Sequence, residues 1–160
     1  MSEALIRRFF DAFAALDGAA MAACYHPQAS FSDPVFPDLR GGEPGAMWRM
    51  LTAAAARSGD FRLDYRIARS DERKAQVLWE AHYPYRPGRK VHNRVRSTLT
   101  VWDGAIVRHV DEFAFWSWSR QALGASGWLL GWAPAYRRAV QRAARGQLDR
   151  FIAREGASPS

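Results

Sequence analysis

Residues 105–115 read AIVRHVDEFAF, and the reading of that stretch decides the fold. It follows Asp103-Gly104, a hairpin dipeptide, and HNRVRSTLTVW at 92–102, so it forms the second arm of a long antiparallel hairpin. Side chains of a strand alternate between two faces. Val107, His109, Asp111, Phe113 and Phe115 therefore share one face, and Ile106, Arg108, Val110, Glu112 and Ala114 share the other. An imidazole and a carboxylate two residues apart on an otherwise apolar face need partners once they are buried. Such a pair is either a satisfied structural network or part of an active site.

Working outward, FRLDYRIARS (61–70) and KAQVLWEAHYPY (74–85) form another strand pair around the charged turn Asp71-Glu72-Arg73. Upstream, Leu5, Phe9, Phe13 and Leu16 make an apolar stripe at helical spacing over 3–16. Asp17 can cap a short helix at 18–24, and ASFSDPVF (29–36) alternates like a strand that stops at Asp33-Pro34. Glu43-Pro44 opens a helix over 44–57, with Gly59 just past its end. Downstream come a short helix near 117–124, a Gly-rich aromatic loop and a final helix over 134–154. That helix aligns Val140, Ala144, Leu148 and Phe151. Helices first, then a run of strands, then a helix predict an α+β fold with a curved antiparallel sheet wrapped around the early helices.

Bulk properties agree with one domain. The 160 residues are 48% hydrophobic, with seven Trp and nine Phe, enough for one core and some aromatic surface. No apolar stretch is long enough to span a bilayer, and the N-terminus lacks a signal-peptide core, so no integral membrane association is expected. The single cysteine, Cys24, allows no internal disulfide, which points to a reducing cytoplasm; no Cys/His grouping suggests a metal. The net charge of +7 is carried mainly by arginine and is concentrated in 134–155. No nucleic-acid motif accompanies it, so a solvated helix face is the preferred reading and no nucleic-acid partner is expected; docking on anionic lipid or nucleic acid ranks last.

YHPQASFSDPVF at 25–36, the third helix, and hairpins finishing in DGAIVRHVDEFAF resemble the SnoaL-like branch of the superfamily containing ketosteroid isomerase and nuclear transport factor 2. The pattern covers about residues 3–116, and WSWSRQALGASGWLLGWAP looks like a subgroup of uncharacterised bacterial members. The resemblance implies a cone-shaped α+β barrel over 1–116, open at one end. Its three N-terminal helices pack in a strongly curved sheet, and copies pair as homodimers through the outer sheet face. A C-terminal helical extension, 117–155, and a disordered tail, 156–160, complete the expected organisation. Ketosteroid isomerases carry a general-base aspartate before Pro-Val, and Asp33-Pro34-Val35 stands at the matching place. By spacing, their oxyanion-hole tyrosine falls on Phe9 and their second aspartate near Ser97, so that isomerisation is not expected here. In the SnoaL cyclase branch an acidic residue late in the last strand acts as acid/base, and Asp111 looks similar. Limonene epoxide hydrolases use an Arg-x-Asp arrangement that Arg94-Val95-Arg96 matches poorly.

The strand phases that bury Leu99, Val101, Trp79 and Ala81 bring Asn93, Val95, Ser97 and Tyr83 inward as well. The expected site is Asp111, His109 and Asp33 as acid/base groups, with Tyr83, Asn93 and Ser97 as hydrogen-bonding partners. An apolar cage of Phe13, Trp79, Phe113 and Phe115 surrounds them. Each has a plainer explanation: a satisfied core pair for His109 and Asp111, turn chemistry for Asp33, backbone satisfaction for Tyr83 and Asn93. Trp116, Trp118, Trp128 and Trp132 form a lid, a dimer surface or packing for the last helix. The functional expectation is cofactor-independent acid/base chemistry, as an isomerase, cyclase or hydratase/hydrolase, on a small apolar molecule. The alternative is a non-catalytic module that binds an apolar ligand or a protein partner in the same cone.

Overall fold

The computed structural model describes residues 2–157. Helix α1 (Ser2–Ala14) buries Leu5, Ile6, Phe9, Phe10 and Phe13. It ends where Leu16 turns to a positive φ and Asp17 starts α2 (Gly18–Ala22), its side chain accepting from the Ala20 N–H at 2.9 Å. Strand β1 (Tyr25–Ser32) and the two-residue β2 (Leu39–Arg40) precede α3 (Glu43–Ser58), which carries Pro44 in its first turn and ends at the left-handed Gly59. Strands β3 (Arg62–Ser70), β4 (Lys74–Arg86), β5 (Arg89–Trp102) and β6 (Ala105–Glu112) follow. The β5–β6 turn has both Asp103 and Gly104 at positive φ, as a two-residue hairpin of that twist requires. Helices α4 (Phe115–Leu123), α5 (Ala125–Leu130) and α6 (Pro134–Ala157) close the chain.

The six strands form one curved, unclosed sheet in the order β2-β1-β6-β5-β4-β3. β3 to β6 pair antiparallel, as the sequence predicts, whereas β1 joins β6 in parallel with Phe31 beside His109. The core lies between the inner sheet face and α1 and α3, where Phe9, Phe10, Phe31, Met47, Val77 and Leu99 are fully buried. α6 runs back to α3 through the Arg49–Glu155 ion pair at 2.8 Å and through Arg145 on Glu43, and it buries Leu148.

Five details depart from the sequence reading. β1 begins four residues earlier than expected, at Tyr25, because the parallel partner β6 extends its ladder past His26-Pro27. β6 is bulged: Thr100 faces Arg108 but Val101 faces Ile106, so Val107 is the extra residue. Ile106 is consequently fully buried and Val107 only half-buried, the reverse of strict alternation. β6 stops at Glu112, leaving Phe113 beyond the strand and Phe115 buried from α4 instead. The Gly-rich aromatic stretch forms α5, not a loop. Of the expected tail 156–160, Gly156 and Ala157 belong to α6 and the remainder lies outside the described residues.

Gly18 makes the packing of α2 on α3 testable. A Cβ there would sit 2.7 Å from Arg49 Cα and 2.4 Å from Thr52 Oγ1. Helix propensity alone predicts that Gly18→Ala stabilises by about 1 kcal/mol. The close backbone approach predicts the opposite, a loss of about 1–3 kcal/mol measured by urea unfolding.

Candidate functional site

Ser97 lies directly across the β5–β6 ladder from Asp111, and Leu99 lies across from His109. That register places three polar side chains on the buried face, where Ser97, His109 and Asp111 are 0%, 1% and 4% exposed. At such burial each polar atom must find a partner in the protein. His109 Nε2 lies 2.8 Å from Asp111 Oδ1, and Ser97 Oγ donates to the same oxygen. On the far side of Ser97, the Trp79 indole N–H donates to its hydroxyl at 2.8 Å. On the far side of His109, Nδ1 meets the Tyr25 hydroxyl at 2.6 Å, and the Trp48 indole N–H donates to that hydroxyl at 2.8 Å.

The directions in this chain are forced from its ends. An indole N–H can only donate. Tyr25 Oη accepts from Trp48, and among the described residues its own proton has one acceptor in reach, His109 Nδ1. That nitrogen is then an acceptor, and a neutral imidazole must carry its proton on Nε2, pointed at Asp111. Ser97, accepting from Trp79, likewise sends its proton to Asp111. Both branches deliver donors to one carboxylate oxygen, Asp111 Oδ1. Burial holds the Tyr25 phenol well above its ordinary range, which keeps the tyrosine a donor.

Aromatic rings wall off the imidazole. Phe9 and Phe31 meet His109 edge-on at 5.5 and 5.0 Å between centroids, and Tyr25 and Trp48 stack on it at 6.1 and 6.2 Å. Phe9, at the position that matches an oxyanion-hole tyrosine, thus serves as a wall. Phe13 packs one layer further out, on Trp48 and Trp79.

Asp33 stands at the end of β1, half-buried. Its Oδ1 accepts from the backbone N–H groups of Val35 and Phe36 at 2.7 and 2.6 Å, so the turn explanation is correct as far as it goes. Its carboxyl is pushed up to about 7, chiefly by burial and further by the charge of Asp111; the two N–H groups and the Arg137 guanidinium pull it down. Tyr83 is half-buried beside it. Its phenol is pushed up to about 12 by burial, and its oxygen accepts from the Trp118 indole N–H at 3.1 Å. Trp118 is the one tryptophan of the 116–132 run that packs inward. Asn93 sits half-buried between Val91 and Val95 on the same strand phase.

Six of the expected residues therefore converge. Asp111, His109, Ser97 and Trp79 share one network, Asp33 couples to it electrostatically from the end of β1, and Tyr83 couples to Asp33. Phe113 lies elsewhere. With Tyr65, Trp79 and Val95 it lines an open cleft of about 730 Å3 rimmed by Asp64, Arg66, Glu80, Arg94, Arg96 and Glu112. Neither His109, Asp111 nor Asp33 lines that cleft. Tyr25 and Trp48 complete the network yet escape a sequence reading, because Tyr25 is placed by the parallel β1–β6 pairing and Trp48 by the packing of α3. No group of three or more His, Cys, Asp or Glu among the described residues is arranged to hold a metal ion, and no described helix is long and apolar enough to cross a membrane.

Two predictions follow from this geometry. Because Asp33 binds its proton more tightly in the folded state than the usual carboxylate does, its contribution to folding stability falls as pH rises from 3.8 to about 7. Asp33→Asn keeps the oxygen that accepts the turn N–H groups, so it flattens the urea midpoint across that window and raises it above pH 7. Tyr25→Phe strands both His109 Nδ1 and the Trp48 N–H, at a cost of about 1–3 kcal/mol by equilibrium unfolding.

No curated protein matches the sequence. Solved structures do match the fold. TerC crystallised with polyporic acid superposes at a TM-score of 0.62 with 16% identity, covering 74% of this chain and 95% of TerC. A putative polyketide cyclase from Silicibacter sp. TM1040 does so at 0.59 with 22% identity, covering 74% and 93%. An epoxide hydrolase of M. tuberculosis, described as LEH-like, gives 0.57 with 18% identity, covering 79% and 92%. At these identities the likeness establishes the fold, and the family comes from sequence. The model of the SnoaL-like domain matches residues 6–109, about two thirds of the chain. The α+β architecture and that match together make the chain a member of the SnoaL-like family, within the fold class of nuclear transport factor 2 and ketosteroid isomerase.

Proposed function

We propose that the protein performs cofactor-independent acid/base chemistry on a small, largely apolar molecule, with Asp111 as base and Asp33 as its proton-carrying counterpart. The observation that carries this reading is the split between the two carboxyls. Asp111 receives two donors on Oδ1, while burial pushes the Asp33 carboxyl up to about 7. Two carboxyls whose surroundings drive them apart are the usual division into base and acid. Oδ2 of Asp111 lies outside the described hydrogen bonds and is the atom that would take a proton from an activated C–H or from an attacking water. Asp33, with Tyr83 beside it, would donate to the oxygen on which charge develops. His109 and Ser97 hold the Asp111 carboxylate in place, and Phe9, Phe31, Tyr25 and Trp48 fix the His109 ring. The names of the structural neighbours, polyketide cyclase and epoxide hydrolase among them, are consistent with isomerase, cyclase or hydrolase chemistry. Pairing of two copies through the outer sheet face belongs to the same proposal.

A second reading has its own support. Among the described residues no buried side-chain nitrogen or oxygen lacks a hydrogen-bond partner, so the network is complete without a ligand. That suits a non-catalytic module for an apolar ligand or a protein partner.

The two readings separate in D2O. A panel of apolar enolisable ketones and 1,3-diketones, followed by proton NMR, reports exchange of the acidic C–H. The catalytic reading predicts accelerated exchange, lost by about 10²–10⁴-fold in Asp111→Asn with the fold retained. Exchange that survives that substitution contradicts the role of Asp111, and ketones that bind without exchanging favour the binding module.

A further inference from the structure

Two segments of the chain, 83–91 and 113–148, contain no acidic residue, yet together they hold Arg86, Arg89, Lys90, Arg120, Arg137, Arg138, Arg142 and Arg145. The rest of the sequence carries slightly more acids than bases, so the whole net charge of +7 arises in these two segments. The fold brings them together. The Tyr85 ring meets Trp118 edge-on at 5.5 Å, and the Arg89 guanidinium fills the space that a side chain at Gly124 would need. Ser126 of α5 shares a hydrogen bond of 3.1 Å with Tyr136 in the first turn of α6.

Most of the large exposed apolar side chains lie in the same region. Trp132, Leu129 and Trp128 are 75%, 59% and 57% exposed, and Trp116, Leu130 and Tyr85 are exposed beside them. The cations are interleaved with the rings: Arg120 lies over Trp116 at 4.9 Å and Arg86 over Tyr85 at 5.6 Å. Bulky apolar side chains clustered on a surface mark a contact with something apolar. Arg145 is paired with Glu43 and Asp149, and Arg137 faces Asp33, which leaves Arg86, Arg89, Lys90, Arg120, Arg138 and Arg142 as the cations around the exposed rings. Tryptophan, leucine and arginine together fit the headgroup boundary of an anionic bilayer, where rings and aliphatic side chains enter the acyl region and guanidinium groups meet phosphate. A second copy of the same face fits poorly, because a two-fold contact would set like charges against each other.

We propose that the end of the molecule formed by α4, α5, the start of α6 and the β4–β5 turn is a docking surface for an anionic phospholipid bilayer. The inference stands apart from the acid/base reading, since it needs neither Asp111 nor Asp33. The test is co-flotation of the full chain with phosphatidylcholine vesicles, with and without phosphatidylglycerol, at low and high salt. Expected are binding only to the anionic vesicles, weakening with salt, and a blue shift of tryptophan emission on binding. Arg120→Gln with Arg138→Gln lowers the partition coefficient roughly 30-fold, and Trp128→Ser with Trp132→Ser lowers it at least about tenfold. Both pairs are solvent-facing and leave the urea midpoint in place. Equal binding to neutral vesicles, salt-independent binding, or no binding overturns the proposal. So does binding of single-stranded RNA in place of vesicles, or self-association that the tryptophan variants abolish.

Discussion

The structure depends on a single constraint: a carboxylate on the inner face of the sheet, almost without solvent, must be given donors by the protein. Asp111 receives them from two directions, and each direction begins at an indole N–H that can do nothing but donate. Trp48 starts the branch through Tyr25 and His109, and Trp79 starts the branch through Ser97. Polarity therefore runs one way along the whole chain, toward Asp111 Oδ1. Leaving any member unpaired at this burial costs about 1–3 kcal/mol, so the network is retained or lost largely as a unit.

The fold can be understood as the scaffold that makes this chain of hydrogen bonds possible. β5 supplies Ser97 opposite Asp111, β4 supplies Trp79 one strand further on, and the parallel β1 supplies Tyr25 to the other side of His109. The bulge at Val107 lets β6 bury Ile106 at its start while keeping His109 and Asp111 inward at its end. α1 and α3 then close over the network with Phe9 and Trp48. Asp33, held by its own turn at the end of β1, is raised chiefly by burial and further by this enclosed carboxylate.

How much of this the sequence disclosed follows from the range of the interactions. Alternation in β6, the Asp103-Gly104 turn, the Asp17 cap and the Pro44-to-Gly59 helix are local signals, and they placed His109, Asp111 and Ser97 on one buried face. The resemblance of SDPVF to the family motif drew attention to Asp33. What stayed hidden was non-local. Tyr25 reaches His109 because β1 runs parallel to β6, and Trp48 joins it from α3; neither arrangement leaves a mark in the spacing of the segments. The bulge shifted Val107 by one place, and the early end of β6 sent Phe113 to an open cleft instead of the site. Phe13 and Trp79 were read correctly as apolar wall, but the polar end of Trp79 acts as a donor.

The direction of the hydrogen bonds can be measured without any substrate. Long-range proton–nitrogen correlation at neutral pH, with the His109 signals assigned by their loss in His109→Asn, reports which ring nitrogen carries the proton. The account predicts a neutral ring protonated on Nε2 with an unprotonated Nδ1 that accepts from Tyr25. A ring protonated on Nδ1, or on both nitrogens, would contradict it.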